Sequence, residues 1–91
     1  MPYIAAEDRP QYEELIQALS EKVLFATADR TKRAGHLNYI ITRVLLETYG
    51  RELRYYEHNE IIGILECCKQ EFYRRQTAAY EDKCIQKNGD L

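Results

Sequence analysis

The chain has no tryptophan, only two phenylalanines, two prolines and four glycines among its 91 residues. No window approaches the roughly 18 uninterrupted apolar residues of a membrane span, which argues against a membrane protein. The opening residues lack the charged-then-apolar pattern of a secretory signal, so a cytoplasmic location is expected. Charge of one sign is missing too: 13 basic residues stand against 15 acidic ones. No overall field then draws the chain to an anionic membrane or to bulk nucleic acid. Three cysteines, two of them adjacent as Cys67 and Cys68, cannot all pair within one chain, and adjacent cysteines rarely bridge each other. Reduced thiols are expected.

The scarcity of helix breakers leaves long stretches in which helical periodicity can run. "EDRPQYEELIQALSEKVLF" predicts a first helix near residues 9–26, with Tyr12, Leu15, Ile16, Leu19 and Val23 at helical spacing. Asp8 is the expected N-cap, with Gln11 three residues on and Pro10 in the first turn. Glu7, Asp8, Glu13 and Glu14 suit the positive end of the helix dipole. "ATADRTKRAGH" reads as a small polar connection in which Arg30, Lys32 and Arg33 form a solvated run or part of an anion site. "GHLNYIITRVLLETYG" predicts a second helix near 34–49, with Leu37, Ile40, Ile41, Val44 and Leu45 as its stripe and Gly50 as its stop.

"RELRYYEHN" reads as a second connection, with His58 or Asn59 capping a third helix near 59–87. Ile61, Ile64, Leu65, Cys68 and Phe72 give that helix its stripe, and Asn88-Gly89 ends it. Such a helix outruns the other two, so its far half needs another partner or a break near Thr77. The expected fold is all-α: one domain over 1–91, a small three-helix bundle with a long C-terminal helix, completed by homo-oligomerisation. A chain this short buries only about 60–65% of its unfolded surface, and self-association compensates.

"GHLNYIITRVL" and "NEIIGILECCKQEFYRRQTAAYEDKCIQKNGD", behind the opening "MPYI" and "EDR", resemble a family of short all-helical proteins from phages and prokaryotes with no established activity. The resemblance covers most of the chain. It implies an all-helical fold and carries over no catalytic residue.

Several chemistries lack their residues. Structural zinc needs paired Cys or His at short spacing, and Cys67, Cys68, Cys84, His36 and His58 supply no CxxC and no HxxxH. A carboxylate-bridged metal pair would need Glu-x-x-His on two helices, which is absent. No phosphate loop or nucleophile elbow occurs, and Cys68 on the apolar stripe is placed for packing rather than reactivity. The sequence therefore predicts no metal, no cofactor and no catalytic residue.

What stands out is "CCKQEFYRRQTAAYEDK". Continuing the stripe from Ile61 through Leu65, Cys68 and Phe72 reaches Arg75, a guanidinium where a core residue belongs. One reading is structural: Arg75 snorkels past the end of the core or pairs with Glu71 or Asp82. The other is functional. Arg75, Arg74, Lys69 and Tyr73 would line a polar pocket at a subunit boundary, with forked guanidinium groups for phosphate and a tyrosine face for a base. Asn38 and Arg43 flank the stripe of the second helix, and Asn38 is suited to reading a base edge. The expected function is non-catalytic: a homo-oligomer sequestering a small anionic, phosphorylated ligand such as a signalling nucleotide. A phage protein of this kind would deprive a host defence pathway of its messenger. The alternative is a module that inhibits or scaffolds a host or phage protein through its aromatic and acidic surface; Tyr39, Tyr49, Tyr55 and Tyr56 read either as part of such a surface or as ordinary aromatic packing of a loop against the helices.

Overall fold

The computed structural model describes residues 3–91, and every regular element among them is helical. The described residues form two compact units, Tyr3–Leu53 and Arg54–Leu91.

In the first unit a 3-10 turn, Ala6–Asp8, leads into helix α1, Pro10–Ala26. Asp8 therefore lies in the turn rather than at the cap. Its carbonyl accepts a 2.8 Å bond from Gln11 Nε2, and Arg9 is the residue before the helix. Arg9 folds back, donating Nε and Nη2 to the Ile4 carbonyl, with its guanidinium over the Tyr3 ring. Pro10 takes the first helical position, where its missing N–H costs nothing.

The connection expected to be a solvated loop is the most tightly bonded part of this unit. Thr27 is fully buried; its N–H and its hydroxyl both donate to the Val23 carbonyl, at 2.9 and 2.7 Å. Asp29 caps a 3-10 turn, Arg30–Lys32, by accepting from the N–H and hydroxyl of Thr31. Those two bonds hold the Asp29 carboxyl below the ordinary aspartate range. Arg33 then opens helix α2, Arg33–Tyr49, and reaches back to Thr27. The α2 helix packs on α1. It stops at Gly50, whose φ of 85° lies in the region that favours glycine and whose N–H closes on the Leu46 carbonyl.

The second unit is helical along nearly its whole length. Helix α3, Tyr55–Phe72, begins four residues before the expected start, and His58 and Asn59 are interior to it. Arg54 is the cap: its backbone is extended, its carbonyl accepts from the N–H groups of Glu57 and His58, and its own N–H is taken by the Glu57 carboxylate at 3.1 Å. That reach-back by an acidic side chain at the third helical position is half of a capping box. The sequence contained the signal, because Glu57 stands three residues after Arg54.

No break occurs near Thr77. A π-helical turn, Tyr73–Thr77, joins α3 to helix α4, Ala78–Asn88, and the backbone stays helical at both joins. Its mark is the Ala78 N–H, which bonds to the Tyr73 carbonyl five residues back. The run 55–88 is about 50 Å long at a rise of about 1.5 Å per residue, roughly twice the length of α1 or α2. Gly89, with φ of 91°, ends it as expected.

Burial is sparse in both units. Among the described residues Val23 is the one buried hydrophobic side chain, while Leu15, Phe25, Ile62, Phe72 and Tyr80 are each more than half exposed. Cys67 and Cys68 are exposed as well, so the packing role expected for Cys68 is not fulfilled within this chain.

Candidate functional site

The expected site residues fall in the two units, four in the second and two in the first. In the second unit Lys69 is near the end of α3, and Tyr73, Arg74 and Arg75 form the first three positions of the π turn. The turn widens the helix where three large side chains follow one another. Glu71, one of the more enclosed carboxylates with its side chain 18% exposed, receives Arg74 Nη2 at 2.8 Å. Arg75 Nε bonds to the same Glu71 oxygen. One turn earlier Lys69 Nζ meets Glu66 Oε1 at 3.1 Å, and Gln70 Nε2 donates to that oxygen at 3.2 Å. The hydrogen bond from Gln70, then that from Lys69, lowers the Glu66 pKa from its ordinary value.

This stretch therefore carries three cations against two carboxylates, Glu66 and Glu71, and leans positive in a chain that is acidic overall. Arg75 is on the surface, with its side chain 54% exposed, rather than in a partly dry core. Its pairing with Glu71 is one of the two structural partners the sequence offered for it.

Tyr73 has a partner that helical spacing concealed. Its hydroxyl donates to Glu81, eight residues on. In an unbroken α-helix residues eight apart lie about 80° apart around the axis; the wide turn absorbs one residue and brings the two onto one face. The Glu81 hydrogen bond is the main reason that the Tyr73 phenol pKa is raised.

In the first unit Asn38 lies on α2 beside a shallow depression of about 550 Å³ that it shares with Gly35, Tyr39 and Thr42. Arg43, a turn further on, donates Nη1 to the Tyr39 hydroxyl at 2.7 Å and Nη2 to Glu47 at 2.9 Å. Glu47 first, then Tyr39, pushes the guanidinium pKa up. The Arg43 Nε is enclosed without a hydrogen-bond partner. Asn38 and Arg43 thus flank Tyr39 from successive turns, and Arg43 acts on that ring directly.

Among the described residues no group of three or more His, Cys, Asp or Glu side chains gathers to hold a metal, and no helix is long and apolar enough to cross a membrane. The family described as "Domain of unknown function (DUF6899)" matches residues 1–91. The chain belongs to that family. No curated protein and no solved structure matches it.

In this chain the two surface arginines of the π turn, Arg74 and Arg75, share one carboxylate, Glu71. Sequence reasoning missed Thr27 and Glu81. Thr27 was hidden by the polar composition of its connection, and Glu81 by a π turn that α-helical periodicity does not forecast.

Proposed function

We propose that the chain is a non-catalytic binding protein that works as a homo-oligomer in the cytoplasm and sequesters a small phosphorylated ligand, of which a signalling nucleotide is the best fit. The observation that carries this reading is the surplus of cations on one stretch of the second unit: Lys69, Arg74 and Arg75 share Glu66 and Glu71. A phosphate entering there would relieve two guanidinium groups of sharing one carboxylate oxygen, and charge-assisted bonds to it are among the stronger hydrogen bonds available. Tyr73 offers a ring face for a base. Asn38 and Arg43 are proposed as further ligand contacts, each to be tested by its own alanine variant. Self-association is supported by the exposed Phe72, Tyr80 and Ile85, whose burial would be worth about 1.5–3 kcal/mol for a fully covered aliphatic or aromatic side chain. The resemblance to phage proteins supports a role in counter-defence, with the oligomer withholding a host messenger.

The test is to incubate the purified protein with a panel of nucleotides, denature it by heat and analyse what is released. Unchanged nucleotide supports sequestration, conversion would mean catalysis, and empty protein would remove the reading. Arg75→Ala should weaken nucleotide binding at least about tenfold without lowering the melting temperature; Tyr73→Ala should weaken it by the loss of about 1–3 kcal/mol of stacking. Unfolding or dissociation of the Arg75→Ala protein would make the arginine a structural partner of Glu71.

A second reading, a module that inhibits or scaffolds another protein, is favoured by Tyr55 and Tyr56. Both are well exposed in the first turn of α3. Exposed aromatic rings of this type are enriched at protein interfaces.

A further inference from the structure

The regular structure of the second unit is one helical run, 55–88. Its apolar line therefore has no partner helix inside the unit: Leu65, Phe72 and Tyr80 are exposed, as is Cys68. The run is about 50 Å long at about 1.5 Å per residue, so the helix that matches it in length is its own copy.

The π turn decides which residues form that line. Ile61, Leu65, Cys68 and Phe72 follow α-helical spacing, and continuing it unbroken would lead to Arg75, Ala79 and Lys83. The turn absorbs one residue, and the bond from the Tyr73 hydroxyl to Glu81 shows the result, with residues eight apart on one face. By the same step Phe72 is followed on its face by Tyr80, and Cys84 lies one turn further on. Arg75 leaves the line for its flank, where it bonds to Glu71. Ile61, Leu65, Cys68, Phe72, Tyr80 and Cys84 thus form one seam about 35 Å long at about 1.5 Å per residue.

This seam is nearly symmetric. Ile61 and Cys84 lie at almost equal distances on either side of Phe72, as do Leu65 and Tyr80. The charges are not symmetric: residues 55–66 carry Glu57, Glu60 and Glu66 and no lysine or arginine, whereas Arg74, Arg75, Lys83 and Lys87 outnumber Glu81 and Asp82 beyond Phe72. Glu60, Glu71 and Lys83 each directly precede a seam residue and so share one flank with Arg75. In an antiparallel pair related by a two-fold axis like flanks meet, which sets Glu60 against the partner's Lys83 and Glu71 beside the partner's Arg75. A parallel pair would instead bring the two acidic starts together and the two basic ends together, and juxtaposed like charges are costly.

We propose that two copies pair antiparallel through this seam, with Phe72 at the two-fold axis, Leu65 against the partner's Tyr80 and Ile61 against the partner's Cys84. This pairing rests on the self-association of the proposed function and deepens it, because Arg75 of each copy then stands beside the partner's Glu71 and the phosphate site is made by two chains.

The test is cysteine cross-linking of the purified full chain, with light scattering to give the parent a mass at least twice 10.8 kDa. Mildly oxidised Ile61→Cys should form a disulfide with the partner's Cys84, located by peptide mass. The parent should give no Cys84–Cys84 link under the same conditions, because antiparallel copies hold those residues about 35 Å apart, far beyond disulfide reach. Deleting Gln76 should keep the helicity and lower the mass toward 10.8 kDa, since the turn loses its extra residue and Tyr80 and Cys84 leave the line. Lys83→Glu should weaken pairing about tenfold, and Glu60→Lys added to it should restore pairing. A Cys84–Cys84 link in the parent would overturn the proposal, as would a parent of higher mass whose Ile61→Cys variant forms no link or whose mass survives deletion of Gln76; each leaves nucleotide sequestration standing. A monomeric parent would overturn it together with the oligomer of the proposed function. Ile61→Cys protein that cross-links to Cys84 but releases no nucleotide on heating would support the pairing and remove the ligand reading.

Discussion

Arg33 donates from Nε to the Thr27 hydroxyl at 3.1 Å and from Nη2 to the Thr27 carbonyl at 3.2 Å, so one side chain at the start of α2 holds the end of α1. The carbonyl groups at a helix end have no partner within the helix, and a cation there also meets the negative end of the dipole. Thr27 passes the bond on, since its hydroxyl donates to the Val23 carbonyl.

Thr27→Val should therefore destabilise the protein by about 1–3 kcal/mol, because it keeps the shape and leaves polar partners unsatisfied. Thr27→Ser should cost less. Chemical denaturation monitored by circular dichroism measures both, and equal stability of Thr27→Val and the parent would show that the Arg33 bonds are made equally well to water.

Tyr73 should titrate later than an ordinary tyrosine. Its phenol is protonated when it donates to Glu81, so the folded-state pKa is raised. The bond contributes stability below the unfolded pKa, about 10, and that contribution is lost as pH rises through the higher folded value. The difference in ultraviolet titration between the parent and Tyr73→Phe isolates this group, and Glu81→Gln should move its midpoint down. A Tyr73 midpoint at or below the ordinary value would mean that the π turn does not hold the pair together in solution.

Asp29 behaves in the opposite sense. Its carboxylate is stabilised by the Thr31 hydroxyl and N–H, so its contribution is complete above the unfolded pKa, about 4, and is lost as pH falls through the lower folded value. Asp29→Asn should make stability less dependent on pH below about 4. Melting temperatures recorded across that acid range check it, and parallel curves for the two proteins would exclude a role for Asp29.

Phe72→Asp and Ile85→Asp test self-association. Both side chains are exposed in this chain, so neither change should lower the helicity of an isolated copy, whereas a charge placed in an apolar contact is expensive. Light scattering at micromolar concentration should give the parent a mass above 10.8 kDa, and the variants should approach that monomer value. A parent that is already monomeric would remove the oligomer from the proposed function.

The helices themselves were legible because they follow from local chemistry. Periodic apolar residues, the near absence of proline and the two stopping glycines mark α1, α2 and the long terminal run to within a few residues, except that Glu57 moves the start of α3 back to Tyr55. Arg75 was legible as an unusual residue, and Glu71 as one of its candidate partners, because residues four apart on a helix are neighbours. The rest depended on contacts that no short window contains. Whether Thr27 is a loop residue or a buried joint is decided by Arg33 crossing between elements, and whether Tyr73 meets Glu81 is decided by a turn with one residue more than an α-helix holds. The order of residues sets which groups are present and their spacing along the chain; three-dimensional packing decides which of them share a partner, because hydrogen bonds and charges act over ångströms in space rather than residues in sequence.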